Sequence, residues 1–230
     1  MLNPQIRTSL LSAENTGWVL EPEAKRLLRS SGLPVPNFSW AKTLDEALEF
    51  ADQIGYPVTA KIVSPKALHK SDVNGVVVGI KDRESLKETY VRFQNFEDFS
   101  GMLVEEIVSG MELIIGAKID YQFGPVILLG IGGTGVEVYQ DATLRMAPLE
   151  EKDVQSMIQG LKAHQLLEGY RGRPSIDMKA LTRILLDFSN LVMELAKDIE
   201  SIDLNPVMCS PNACIIADAR IILRTKDSNN

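Results

Sequence analysis

The chain has 230 residues, 45% of them hydrophobic, with 24 Lys and Arg against 31 Asp and Glu for a formal net charge of -7. That is enough apolar material for one large or two small globular domains, and an acidic balance without a long basic run excludes nucleic acid or an anionic membrane as the main partner. Any anionic ligand therefore needs a local positive site. The two cysteines, Cys209 and Cys214, have no metal-ligand spacing and suit a reducing compartment, by default the cytoplasm. The N-terminal segment Met1 to Arg7 lacks the apolar core of a signal peptide, and no run is long enough to span a bilayer.

Residues 1–17 read as an N-terminal arm ending at Gly17. A helix is predicted from Leu20 to Ser31: Glu21 and Glu23 suit its first turn, Ala24, Leu27 and Leu28 form an apolar stripe, and Gly32 stops it. Pro34 and Pro36 force an extended exit. Thr43-Leu44-Asp45-Glu46 reads as a capping box that opens a second helix through Ala47, Phe50 and Ala51 to Gly55. The run Val58 to Val63 predicts a strand with Val58, Ala60 and Ile62 on one face and Thr59 and Lys61 on the other.

A polar loop follows from Ser64 towards the next apolar run, Val76-Val77-Val78, and displays His69 beside Lys66 and Lys70, with Ser71, Asp72 and an Asn74-Gly75 pair suited to unusual backbone angles. Cations, backbone N–H groups and an imidazole at one loop tip can hold or receive a phosphoryl group; the plainer alternatives are a solvated hairpin with an incidental histidine and a solvated Lys61. Asp82 begins a third helix through Leu86 and Tyr90, and Met102 to Glu106 is a further strand. Val104 to Val108 followed by Ser109-Gly110 is a candidate hinge, whose backbone groups can hydrogen-bond a purine edge.

From Met111 strands resume, with Leu113, Ile115 and Ala117 on the core face and Glu112, Ile114 and Gly116 on the other. Val126 to Leu129 runs into Gly130-Ile131-Gly132-Gly133-Thr134-Gly135, a turn that lets backbone amides approach a phosphate but lacks the Lys-Ser/Thr of a Walker loop. Val136 to Tyr139 and Thr143 to Ala147 form a predicted hairpin carrying Glu137 and Arg145, for which an exposed ion pair is the simple reading. Asp177 caps a long helix whose apolar positions Met178, Leu181, Ile184, Leu185, Phe188, Leu191, Val192 and Leu195 keep a helical period.

The last informative stretch is a ribbon, Ser201 to Met208 and Ala213 to Leu223, around the loop Cys209-Ser210-Pro211-Asn212. That loop sets Asp203 opposite Asp218 and Asn205 opposite Ile216, with Ile202, Leu204, Ile215 and Ala217 on the other face. Asp203, Asn205, Asp218 and Arg220 then share one side. Opposed carboxylates repel, and either a hard cation such as Mg2+ or Arg220 alone supplies the compensating charge.

Taken in order, Glu21-Pro22-Glu23-Ala24-Lys25, Gly32-Leu33-Pro34-Val35-Pro36, Gly55-Tyr56-Pro57-Val58, Lys61-Ile62-Val63-Ser64-Pro65, His69-Lys70-Ser71-Asp72, Gln122-Phe123-Gly124-Pro125, Gly130-Ile131-Gly132-Gly133, Arg145-Met146-Ala147-Pro148-Leu149, Asp203-Leu204-Asn205-Pro206 and Asp218-Ala219-Arg220 resemble the ATP-grasp β subunit, or the equivalent fused domain, of NDP-forming acyl-CoA synthetases, relatives of succinyl-CoA synthetase. The resemblance covers nearly all of residues 18–223. It implies an α+β ATP-grasp fold of two lobes, residues 18–107 and 108–226 with a tail at 227–230, that hold ATP or ADP between them.

The same resemblance implies that Lys61 contacts nucleotide phosphates, Glu105, Glu106, Ile107 and Val108 meet adenine, Glu112 reaches the ribose or adenine end, and Gly132 and Gly133 line the cofactor. Asn205 and Asp218 hold magnesium with Asp203 as an additional ligand, Arg145 stands near the transferring phosphate, and Asp72 is a candidate to orient His69. His69 matches the histidine that relays a phosphoryl group to the nucleotide in the reaction acyl-CoA + ADP + phosphate ⇌ acid + CoA + ATP. Asn74 stands where relatives often have glycine, and Thr134-Gly135 where bulkier residues are common. No dinucleotide-type CoA domain and no second histidine loop is present, and His164, within a helical segment, reads as structural. An α subunit or fused domain with the CoA and acyl sites is therefore the expected partner in a hetero-oligomer. The competing readings are a non-catalytic ATP-sensing module of a fused regulatory protein and another ATP-grasp carboxylate ligase.

Overall fold

The computed structural model describes residues 10, 13, 16–67, 70–133, 140–172 and 174–224, with only the backbone at positions 71 and 72. The chain divides into two compact units, each mixing helix and strand. The smaller comprises Leu20–Pro22 and Pro36–Val108; the larger takes in Glu23–Val35 and the chain from Ser109 onward, together with the short strand β1 (Trp18–Val19).

Helix α1 (Glu21–Ser30) straddles this division. Its first residues count with the smaller unit, whereas Ala24, Leu27 and Leu28, expected in the first lobe, are buried in the core of the larger one. Its end is as anticipated: Gly32 takes φ 80°, and Leu33 N–H donates to Leu28 O at 3.0 Å, closing the last turn.

In the smaller unit β2 (Phe38–Ala41), β3 (Val58–Ile62), β4 (Val76–Ile80) and β5 (Met102–Glu106) form an antiparallel sheet in the order β2-β5-β3-β4. Helix α2 (Leu44–Ile54) starts at the predicted capping box, with Glu46 N–H donating to Thr43 Oγ1 at 3.2 Å while the Glu46 carboxylate accepts from the Thr43 N–H. Helix α3 (Arg83–Gln94) is capped by Asp82, which accepts from Ser85 N–H at 2.8 Å. Ala47 and Ala51 of α2 and Leu86, Tyr90 and Phe93 of α3 close over Val58, Ala60, Ile62, Met102 and Val104.

The larger unit is built on a seven-stranded antiparallel sheet. Its strands are β1, β6 (Met111–Asp120), β7 (Gly124–Ile131), β8 (Ala142–Met146), β9 (Ile199–Cys209), β10 (Cys214–Ile216) and β11 (Arg220–Leu223), ordered β1-β11-β9-β6-β7-β8 with β10 also on β9. Leu113, Ile115 and Ala117 face the core, as alternation required. Helices α4 (Glu151–Gly160), α5 (His164–Glu168) and α6 (Met178–Leu195) complete the unit. Asp177 caps α6 by accepting from Ala180 N–H at 3.0 Å, and its predicted stripe from Leu181 to Leu195 is buried. His164 Nδ1 lies 2.9 Å from Leu161 O, a local bond that fits a structural role. Strand β8 pairs with β7; the other arm of the expected hairpin, residues 136–139 with Glu137, lies outside the described residues. Among the described residues no helix is long and apolar enough to cross a membrane.

Two consequences are measurable. Phe188 is fully buried at the centre of α6, so Phe188→Ala is expected to cost about 3–5 kcal/mol in equilibrium unfolding. Cys209 and Cys214 stand opposite each other on β9 and β10, both buried as free thiols; the hydrogen bond with Cys214, reinforced by burial, raises the Cys209 thiol far above its ordinary range. A disulfide-type thiol reagent at pH 8 is accordingly expected to leave both unlabelled in the folded protein and to modify both once guanidinium unfolds it.

Candidate functional site

Strand β3 is buried on both faces, so Lys61 is not a solvated lysine: its side chain is 8% exposed. Its Nζ lies 2.8 Å from Glu21 Oε1 and 2.9 Å from Glu105 Oε1. The other oxygen of the same carboxylate, Glu21 Oε2, lies 2.8 Å from Lys70 Nζ. The sheet explains half of this arrangement. Thr59 pairs with Glu105 across β3 and β5, which puts Lys61 on the diagonal from Glu105, within reach of a long side chain. Glu21, at the start of α1, supplies the other half; in the sequence it reads as a first-turn acid and as part of the Glu21–Lys25 run, with nothing to link it to Lys61.

Lys70 opens a one-turn 3-10 helix, Lys70–Val73, after the polar loop. Gly75 N–H donates to Lys70 O at 2.7 Å, and a Cβ on Gly75 would stand 2.4 Å from Ile62 Cγ2, so glycine is required there. Asn74 takes φ 52°, the left-handed conformation in which asparagine can replace glycine. His69 lies outside the described residues, and of Asp72 only the backbone within this turn is described.

At the candidate hinge, sheet pairing ends at Glu106, whose carboxylate accepts from Asn37 N–H at 2.9 Å and from Asn37 Nδ2 at 3.2 Å. The side chains of Glu105 and Glu106 are thus committed to Lys61 and Asn37. Gly110 has no room for a side chain, since a Cβ would stand 2.4 Å from Cys209 O. The glycine turn is likewise partly structural. Gly132 N–H donates to Glu112 O at 2.7 Å, and a Cβ on it would meet the Glu112 backbone at 2.8 Å. That amide is engaged inside the protein, whereas Gly133 lies beside the Glu112 carboxylate, whose Oε2 is 3.7 Å from where its Cβ would be. Thr134 and Gly135 fall outside the described residues.

The terminal ribbon departs from the expected register by two residues. Cys209 faces Cys214 and Met208 faces Ile215, with Ser210 N–H donating to Ala213 O at 2.8 Å to close the turn. Further along, Asp203 faces Arg220 rather than Asp218. Ala217 N–H donates to Pro206 O at 3.0 Å, so the pairing continues between these points and sets Asp218 across from Asn205. An even slip keeps side chains on their faces, which is why the expected group still shares one side. Alternation breaks once in each strand. Leu204 and Val207 are buried, as are Ile216 and Ala219, while Asn205-Pro206 and Ala217-Asp218 between them are not; Ile216, not Ile215, enters the core. Proline, with no N–H to donate, sits at this irregularity.

Repulsion between facing aspartates is therefore not what calls for a cation. Arg220 Nη2, 3.2 Å from Asp203 Oδ2, already offsets that carboxylate. Asn205 and Asp218, one amide and one carboxylate across a strand pair with Asp203 beside them, nevertheless form an oxygen donor set that fits magnesium, which keeps few protein ligands and takes the rest from water and phosphate. Among the described residues no group of three or more His, Cys, Asp or Glu side chains could hold a metal by itself.

Arg145 is not brought to this set. Arg145 pairs with Ile127, Ile127 with Ala117 and Ala117 with Ile202, all on the helix-covered face. Leu144, Leu128, Gly116 and Asp203 trace the opposite face in the same way. Arg145 Nη2 donates to Ser156 Oγ of α4 at 2.6 Å, consistent with that placement. Glu112, by contrast, shares the face of Gly116 and Asp203 and is exposed.

A family model described as an ATP-grasp domain matches residues 10–223. The chain is 42% identical over 216 residues to the β subunit of ADP-forming acetate–CoA ligase II from Pyrococcus furiosus, an alignment covering 90% of this chain and 92% of that one. It is 38% identical over 213 residues to the ADP-forming 4-hydroxybutyrate–CoA ligase of Nitrosopumilus maritimus, covering 88% of this chain but 30% of that longer protein. A solved structure of Ca. Korarchaeum cryptofilum acetyl-coenzyme A synthetase 1 with coenzyme A and Mg-AMPPCP, its phosphohistidine segment pointing towards the nucleotide binding site, matches at TM-score 0.84 and 41% identity, covering 95% of this chain and 100% of that one. The fold, the order of its charged residues and the family match over residues 10–223 agree: the chain belongs to the ATP-grasp family, among relatives that include β subunits of ADP-forming acetate–CoA ligases.

Proposed function

We propose that this chain is the nucleotide-binding, phosphoryl-relaying β subunit of an ADP-forming acyl-CoA synthetase, working with an α subunit or fused domain that carries the CoA and acyl sites. The observation that carries this reading is the reciprocal full-length match, 90% of this chain against 92% of a relative of that kind. The buried, doubly paired Lys61 and the oxygen-rich face of the larger unit's sheet support it independently. A reducing cytoplasmic setting suits the two unoxidised cysteines.

In this reading Lys61 contacts nucleotide phosphates, the backbone of 105–108 meets the base, and Glu112 beside Gly133 reaches the ribose end. Asn205 and Asp218, with Asp203, hold magnesium, which when bound neutralises phosphate charge as phosphoryl transfer requires. His69, with Asp72 as candidate orienting group, attacks the acyl phosphate formed at the partner's site; the phosphorus–oxygen bond to the acyl group breaks and a carboxylate leaves. ADP then takes the phosphoryl group from the imidazole. Splitting the transfer means acyl phosphate and nucleotide need never share a site. Neutral imidazole is the attacking form. Arg145, on the helix-covered face, has no role in this account.

The test is to incubate the chain and its partner with magnesium and γ-labelled ATP and to measure acid-labile, base-stable label on protein. Label is expected on this chain, lost in His69→Ala and lost with excess chelator; label that persists in His69→Ala overturns the relay, and nucleotide binding without label under any condition favours an ATP-sensing module. Asp218→Asn is expected to raise the magnesium concentration needed for half-maximal labelling by at least about tenfold.

A further inference from the structure

A buried ion pair is seldom the most stable way to fill an interior, because desolvation offsets much of the attraction and apolar residues of similar volume often do as well. The smaller unit nonetheless buries four charged side chains together: Glu21, Lys61, Glu105 and Lys70 are 1%, 8%, 4% and 10% exposed. Within the group Glu21 stands apart. One of its oxygens meets Lys61 and the other meets Lys70, each at 2.8 Å. Two ammonium groups repel, and here one carboxylate lies between them. Glu21 is also the first residue of α1, where the helix dipole favours negative charge. Lys70 is held at its other end as well, its carbonyl accepting from Gly75 N–H at 2.7 Å.

We propose that Glu21 is a positioning residue that holds Lys61 and Lys70 side by side as a two-cation cradle for the phosphates of a nucleoside diphosphate. This rests on the nucleotide reading above and adds two residues to it: Lys70 as a second phosphate-binding cation and Glu21 as the group that presents both. The chemistry recognised is the diphosphate, not the base or sugar. Loss of Glu21 therefore weakens binding of phosphate-bearing ligands selectively, because the two ammonium groups then separate by mutual repulsion.

The test is titration calorimetry on the chain with its partner, using magnesium ADP and, as a phosphate-free probe, adenosine. Glu21→Gln is expected to weaken ADP about tenfold, the scale of one charge-assisted hydrogen bond, and to leave adenosine within about twofold. Lys70→Met removes the other arm of the cradle without touching the buried carboxylate, and the same selective loss is expected; it carries the test alone if Glu21→Gln does not fold. In the double variant ADP binds within about twofold of the weaker single variant, because both changes act on one cradle. Equal weakening of ADP and adenosine, unchanged ADP affinity, or losses that multiply in the double variant overturn the proposal. Absence of ADP binding by the unsubstituted complex removes the nucleotide reading itself, an outcome distinct from any of these.

Discussion

Charge can be buried only where it is matched, and in the smaller unit that rule ties together stretches far apart in the chain. Glu21, Lys61, Glu105 and Lys70 come from the start of α1, from β3, from β5 and from the turn after the polar loop, and none could be left inside without the others. A strand lysine that looks incidental in sequence is held by two carboxylates.

The larger unit obeys a different constraint, the two-sidedness of a sheet with helices on one face. Registers from β8 to β9 carry Leu144, Leu128, Gly116 and Asp203 on one side and Arg145, Ile127, Ala117 and Ile202 on the other. Polar groups able to serve a phosphorylated ligand can accumulate only on the side the helices leave open, where Glu112, Asp203, Asn205 and Asp218 are found. Glycine appears where backbones must nearly touch, at Gly110 against Cys209 and at Gly132 against Glu112, so part of the apparent nucleotide signature is sheet construction.

What sequence could disclose follows from the range of the interactions involved. The period of α6, its Asp177 cap, the Thr43–Glu46 box and the alternation of β6 are local, and each is found where the residues put it. In the ribbon the shared side of Asp203, Asn205, Asp218 and Arg220 was legible because it depends on parity, while the pairing was not, because the turn lies at 210–213 and shifts every partner by two, and the break in alternation puts Ile216 rather than Ile215 in the core. Which face Arg145 takes was not legible, because it depends on the pairing of β8 with β7. Glu21 was invisible as a partner of Lys61, since nothing local links residues 40 apart; a glutamate at a helix start beside apolar neighbours was the sole hint.

The ion pairs of the four-residue cluster lie away from water, with side chains 1–10% exposed. Mobile ions screen exposed charges far more than buried ones, so salt concentrations that loosen a surface pair such as Lys66 with Glu97 leave this cluster in place.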